Sequence, residues 1–219
     1  MLVLDKLSVS YPELSVINAL CLQLEPGTIC VLTGANGCGK STLLSAISGV
    51  IPEHVTANVS GEIQYQGTDL RKVALNEKFH YLWHAGSDAD SQFFFPTCEA
   101  ELAFALENKG IAPQEIKDRI SRAAAYFGLS DYLQSSPLAL SGGQKRLLLC
   151  AIGKALNPSL YLLDEPASGL SGNSLILLCN WLSELKEQGA IVLIAEHNPQ
   201  LIAMADRVIN LSGAYHDPA

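Results

Sequence analysis

Three short segments carry residues whose types and spacing point to chemistry. The first is Gly34, Ala35, Asn36, Gly37, Cys38, Gly39, Lys40, Ser41 and Thr42, which fits the spacing G-x-x-x-x-G-K-[ST]. It stands between an apolar run, Thr28–Thr33, and a helical pattern, Leu43–Ile47, the setting of a phosphate-binding loop. Glycines let the backbone curl so that successive N–H groups point inward, and the following helix adds the positive end of its dipole. Lys40 would place its ammonium against the β- and γ-phosphates of a nucleoside triphosphate, and the Ser41 hydroxyl would ligate Mg²⁺. Cys38 lies inside this loop, so its alkylation is expected to block nucleotide binding.

The second segment, Leu160–Pro166, reads as a buried strand that delivers two adjacent acids at its C-terminal end, where open α/β sheets bind ligands. Asp164 would hold the Mg²⁺ shell through water, and Glu165 would polarise the attacking water. Successive side chains leave a strand on opposite faces, but a turn at Pro166 lets both acids face the nucleotide. The third segment is Leu140, Ser141, Gly142, Gly143 and Gln144. Ser141 with Gln144 three residues on forms a helix capping box, and the helix runs to Leu156, ahead of Asn157-Pro158. A helix start preceded by glycines exposes N–H groups and positive dipole, a second phosphate-binding surface. With Lys40 on the other side of the nucleotide, the economical arrangement is a head-to-tail dimer that holds ATP between one chain's loop and the other's Ser141.

The elements that must position these segments alternate between strands and helices, the pattern of an α/β fold with a largely parallel sheet. Thr28–Thr33, Leu160–Leu163 and Ala190–Ala195 are short, uninterrupted apolar runs, expected as strands covered on both faces. Leu2–Ser10, Ala19–Leu24 and Gly61–Gln66 read as half-buried antiparallel strands, and Phe79–Trp83 as a further strand ending at His84. Between them, Thr97 caps a helix over Cys98–Leu106 with an acidic first turn, and a second helix runs from Pro113 to Phe127 with Gly128 near its end.

Composition narrows the function classes. Of 219 residues, 48% are hydrophobic and only 16% charged, which excludes intrinsic disorder. A net charge of −8 argues against a broad nucleic-acid surface while leaving room for a local phosphate pocket. The longest apolar runs, such as Ala190–Ala195, fall far short of the ~18–20 residues that span a bilayer. The N-terminus lacks the pattern of a secretory signal. Cys21, Cys30, Cys38, Cys98, Cys150 and Cys179 are scattered without a C-x-x-C pair, as expected of small buried hydrophobes in a cytosolic protein.

The order Gly34–Thr42, Leu140–Gln144, Leu160–Pro166 and then Glu196-His197 resembles the ATP-binding-cassette (ABC) ATPase family over nearly the whole chain. The resemblance implies a single ABC ATPase domain, α/β in class: a P-loop NTPase (RecA-like) core with a mostly parallel sheet over residues 1–89 and 141–219. Its N-terminal part would hold a small antiparallel β subdomain, and residues 90–140 an inserted α-helical subdomain. It implies ATP and Mg²⁺ as ligands, His197 on the γ-phosphate beside Glu165 and Lys40, and Tyr11 stacked on adenine. Its partners would be a transmembrane transporter subunit and a second ABC ATPase chain, identical or not, with no nucleic acid. The chain would work at the cytoplasmic face of the cell membrane.

Phe95–Asn108, Ala195–His197 and Ala205–Ile209 look most like the energising subunits of energy-coupling-factor or cobalt-type importers, with short exporter ATPases, including haem-export types, as rivals. A soluble ABC-like ATPase driving protein-complex assembly, such as iron–sulfur machinery, and a weakly hydrolysing nucleotide sensor are the alternatives. Two departures bear on the last of these. His84 stands where the family has a glutamine that senses Mg²⁺, with Gln92 as a rival for that place. An imidazole there would make coupling pH-sensitive near neutrality. Ser171 stands where the family usually has an aspartate, at the end of Ala167–Ser171.

Overall fold

Residues 1–212 are described in a computed structural model. The chain opens with a hairpin, β1 (Leu2–Tyr11) and β2 (Leu14–Leu24), then enters a central strand, β3 (Ile29–Thr33). Helix α1 (Lys40–Ser48) and a single turn, α2 (Val50–Glu53), lead to β4 (Asn58–Tyr65) and the short β5 (Thr68–Asp69). Next come β6 (Leu82–Ala85), the helices α3 (Cys98–Asn108), α4 (Pro113–Tyr126) and α5 (Gly142–Leu156), and β7 (Leu160–Asp164). Helix α6 (Gly172–Glu187), β8 (Ile191–Ala195), α7 (Pro199–Met204) and β9 (Arg207–Asn210) complete the fold.

Two sheets result. One has the order β2-β1-β4-β5 and is antiparallel; the other has the order β6-β7-β8-β3-β9 and is parallel throughout. Side chains alternate along the parallel strands, and each face packs a different layer. Ile29, Val31, Tyr161, Leu163, Val192 and Ile194 face α3 to α7. Cys30, Leu32, Leu160, Leu162, Leu193 and Ala195 face α1 and the antiparallel sheet. Burial on both faces explains why these strands hold almost no polar residue before their last position.

Several bounds differ from the sequence reading. Strand β2 begins at Leu14 rather than Ala19 and β4 at Asn58 rather than Gly61. The backbone turns left-handed at Lys6 (φ 49°) and Ala19 (φ 46°), and the β1 register shifts around Lys6 on both sides. Gly61 (φ 91°) faces that irregularity, where a Cβ would lie 2.4 Å from the Lys6 carbonyl oxygen. Bulges break the period of two on which a strand is recognised. The strand expected over Phe79–Trp83 lies at Leu82–Ala85 instead. Leu75–His80 closes into a 3₁₀ turn, with Tyr81 N donating to Lys78 O at 2.9 Å. The Thr97 cap holds as expected, its hydroxyl accepting from Ala100 N at 3.2 Å, and α4 ends at Tyr126 ahead of Gly128 (φ 68°).

Trp181 of α6 is fully buried, with its ring edge-on to Phe127 (5.6 Å) and Tyr161 (5.5 Å), so one indole joins the α4 end, α6 and the parallel sheet. Gly153 of α5 makes room for this cluster: a Cβ there would sit 2.6 Å from Trp83 Cδ1 and 3.4 Å from Trp181. Helix propensity alone favours alanine over glycine by about 1 kcal/mol. Overpacking wins here, because an indole wall cannot yield as a flexible chain end does. Gly153→Ala is expected to destabilise the protein by about 1–3 kcal/mol, read as a lowered urea midpoint. An unchanged or raised midpoint would contradict that packing.

Candidate nucleotide site

The loop between β3 and α1 is shaped by glycines. Gly37 (φ 80°) and Gly39 (φ 103°) take left-handed conformations, and at Gly39 a Cβ would lie 2.7 Å from Val16 Cγ1, so β2 lies directly against the loop. Cys38 N donates to Ala35 O at 3.2 Å, which closes the turn. Lys40 is only 7% exposed and folds back over the loop, its Nζ donating to Gly34 O (2.9 Å) and Ala35 O (3.1 Å). Phosphate oxygens would replace these carbonyls, so the ammonium is already held at the mouth of the loop. Cys38 Sγ lies 3.9 Å from the same nitrogen.

Asp164 ends β7, buried, in the same groove wall as Ser41 at the start of α1. Burial pushes its carboxyl above the usual range, while the Ser41 and Ser87 hydroxyls draw it back and the Glu165 charge adds to the rise. Glu165 takes φ 50°, a conformation that costs a non-glycine residue about 1 kcal/mol or more. The reversal therefore begins at Glu165 itself, one residue before Pro166, and sets the two carboxylates side by side. Ser41 and Asp164 are hard oxygen donors and fit Mg²⁺, which takes one or two protein ligands and fills its shell with water and phosphate. No cluster of three or more His, Cys, Asp or Glu that would enclose a metal by itself occurs among the described residues.

His197 follows β8 and is exposed, while Glu196 beside it is buried at 6% exposure. Glu196 accepts from His197 N (2.7 Å), Asn198 N (3.1 Å) and Ala167 N (3.1 Å). Ser141 caps α5 as expected: its hydroxyl accepts from Gln144 N (3.3 Å), and Gln144 Oε1 accepts from Ser141 N (2.9 Å). Gly143 packs against the turn after β7, where a Cβ would be 3.1 Å from Gly169 O. Ser141 and Gly142 are exposed, and no hydrogen bond among the described residues joins Ser141–Gln144 to the Gly34–Thr42 loop. Tyr11 ends β1, half-buried against the core beneath the antiparallel sheet.

His84 lies in the groove wall with Ser41 and Asp164, but burial lowers its pKa to about 4. The imidazole is uncharged at neutral pH, which corrects the expectation of pH-sensitive coupling. Gln92 folds onto its own loop, accepting from Gly86 N (3.0 Å) and donating to Gly86 O (3.2 Å) and Asp88 O (2.7 Å). Ser171 is the exposed N-cap residue of α6 and makes no capping bond with its side chain.

Three residues of the site escaped the sequence reading. Arg146 of α5 donates to Gly86 O (2.8 Å) and to Ser87 O, tying the capped helix to the loop beside Asp164. Ser87 reaches Asp164 itself. The Ser212 hydroxyl accepts from Ala35 N at 2.7 Å and steadies the start of the phosphate loop from the far end of the chain. Glu196 was read only as the step before His197, though a lone charge closing an apolar strand is a legible signal; Ser87 and Ser212 lie in segments without pattern, and Arg146 sits in a recognised helix with its partners on a distant loop.

The profile of the ABC transporter family matches residues 17–168. The energy-coupling factor transporter ATP-binding protein EcfA of Methanosphaera stadtmanae is 32% identical over 198 residues, which cover 89% of this chain and 69% of that protein. A relative from Sulfurisphaera tokodaii is 33% identical over 207 residues, 94% of this chain but only 44% of its own length. The chain thus spans less than half the length of several curated relatives that it matches. A solved ATP-binding cassette, described as a dimer in a post-hydrolysis state with ADP and Pi, superposes with a TM-score of 0.86 at 19% identity, covering 96% of this chain and 94% of that one. At that identity the likeness concerns the fold.

The position of Cys38 yields a direct test. In a Cys21→Ser, Cys179→Ser background, which removes the other exposed or half-buried thiols, N-ethylmaleimide is expected to weaken MgATP binding at least about tenfold by filling the loop. Bound nucleotide should slow the labelling. Full modification with unchanged affinity would overturn the expectation.

Proposed function

The chain belongs to the ABC transporter family, and we propose that it binds and hydrolyses ATP to drive transport through a separate transmembrane subunit. The carrying observation is that Ser41 and Asp164 share one groove wall, with the Glu165 charge beside Asp164 and Lys40 folded over the adjoining loop, while the Ser141 helix start stays exposed and unused by its own phosphate loop. That division supports a head-to-tail pair in which each ATP lies between one chain's loop and the other chain's Ser141–Gln144.

In this reading the inward N–H groups of Gly34–Thr42 and the Lys40 ammonium hold the phosphates, and Tyr11 stacks on the adenine. Ser41 and Asp164, with His84 in the adjoining wall, would hold Mg²⁺, which supplies charge neutralisation of the β- and γ-phosphates. Glu165 accepts the proton of the attacking water as its oxygen bonds to the γ-phosphorus, and the bond to ADP breaks. His197 donates a hydrogen bond to the departing γ-phosphoryl group. Residues 90–140 act as the helical unit that passes closure of the dimer to the transporter.

The surface supports a docking partner. A groove of about 1010 Å³ is lined by Leu75, Phe79, Trp83, Phe94 and Phe104 among others. Phe94 is 81% exposed, its backbone N held with that of Phe95 by the buried Glu101 carboxylate. A rigidly presented aromatic at a groove edge suits an interface better than bulk water. No helix among the described residues is long and apolar enough to cross a membrane. In this reading the membrane-spanning part belongs to a partner, with this chain at the cytoplasmic face. The likeness to EcfA favours the energy-coupling-factor group. A weakly hydrolysing sensor is the second reading, favoured by the uncharged Ser171 in place of an acid.

Glu165→Gln separates the two readings. It should lower turnover at least about 100-fold while leaving MgATP binding intact and trapping an ATP-bound dimer, seen by size-exclusion chromatography. A wild type with no measurable turnover would favour the sensor. Purification with a polytopic membrane protein is expected, and a stable soluble complex lacking one would sink the transport assignment.

A further inference from the structure

We infer that Glu196 is a positioning residue that locks the His197 loop to the turn after Glu165, so that the γ-phosphate contact and the Ala167–Ser171 segment move as one unit. The inference rests on the ATPase reading and adds to it a mechanical link. The Glu196 carboxylate is 6% exposed and bridges two loops from different strands. Oε1 accepts from His197 N (2.7 Å) and Asn198 N (3.1 Å), which fixes the backbone that carries the imidazole. Oε2 accepts from Ala167 N (3.1 Å), the first residue of Ala167–Ser171.

The surroundings leave that carboxylate little freedom. Glu196 N donates to Leu32 O (3.1 Å), and Glu165 N donates to Ala195 O (2.9 Å), so the backbone on both sides is tied to neighbouring strands. Beyond it, Asn198 caps α7 by accepting from Gln200 N (2.9 Å). His197 is exposed and has no comparable packing, so the Glu196 bonds set where its ring emerges. Hydrogen bonds that involve a charged group are among the stronger ones, and an amide left without an acceptor in a buried turn is costly. A glutamine keeps the shape but turns an N–H₂ group toward one of the two loops. An aspartate is one methylene too short to span them.

The test uses the full chain carrying Glu196→Gln and, separately, Glu196→Asp. Each is expected to lower kcat about 10–100-fold, as displaced reacting groups do, with the dissociation constant for MgATP within about twofold of wild type. Hydrogen exchange should quicken in peptides covering both 165–171 and 196–200, while the strands beneath keep their protection. In a His197→Ala background, Glu196→Gln should add little further loss, since both act through one group. The inference is overturned if both variants keep wild-type turnover, if only the 196–200 peptide loosens, or if the losses multiply with His197→Ala. A wild type that binds MgATP without turning it over removes the ATPase reading instead, and the link to His197 falls with it.

Discussion

The site depends on the register of three parallel strands. Leu32 of β3 pairs with Ala195 of β8, and Ala195 pairs with Asp164 of β7, so the three strands end level with one another. The phosphate loop, the Asp164-Glu165 pair and the Glu196-His197 step therefore leave the sheet along a single line. A slip of one residue in any strand would exchange its two faces and carry the acid into the core. The slip is prevented by packing: both faces of each strand are covered, by α3 to α7 on one side and by α1 with the antiparallel sheet on the other. Apolar burial away from these loops thus sets the geometry of the candidate site to within a strand residue.

Helix α5 extends that geometry into the helical layer. Its start carries the Ser141 cap, its next turn holds the loop after β6 through Arg146, and its middle is notched at Gly153 for two indoles. At its end the otherwise unpaired carbonyls are taken up by cations. Arg119 of α4 donates to Ala155 O at 3.0 Å, and Lys109, just after α3, donates to Leu156 O at 2.9 Å. Cations there also complement the negative end of the helix dipole. Lys154 adds a third tie, pairing with Glu184 of α6 at 2.7 Å beneath the Tyr126 ring. Both ends of α5 are therefore tied to other elements, which makes it a stiff member between the groove and the exposed Ser141 helix start.

How much was legible in the sequence follows from which interactions are local. The phosphate loop, the paired acids, the Ser141–Gln144 box and the Thr97 cap each depend on residues within a few positions of one another, and each stands where the spacing put it. Three of the parallel strands, β3, β7 and β8, were legible because burial on both faces leaves a continuous apolar signature. Strand β1 was legible across its bulge at Lys6, whereas β2 and β4 were legible only from Ala19 and Gly61 onward, where left-handed backbone breaks the alternation. Phe79–Trp83 looked like a strand because a short apolar run has no period of its own; the pairing of Leu82 with Leu160 decides where β6 begins. Arg146, Ser87 and Ser212 stayed hidden for a simpler reason: their partners lie on loops far away in sequence, and only the folded chain brings them together.

The charge balance follows from the same construction. An acidic protein that accepts a polyphosphate must place positive potential locally, and here it comes from the inward N–H groups of the loop, the start of α1 and one buried ammonium, Lys40. Acids close to that potential are each given separate work by their surroundings. Asp164 is buried with hydroxyl neighbours and its carboxyl is pushed up by desolvation, a cost that a bound cation would relieve. Glu165 takes a left-handed backbone and stands half-buried beside Asp164. Glu196 is turned inward and spent on three backbone amides, so it cannot compete for the same cation. Three carboxylates at one sheet edge would repel a nucleotide if all faced it. Burial of Glu196 against three backbone amides decides that they do not.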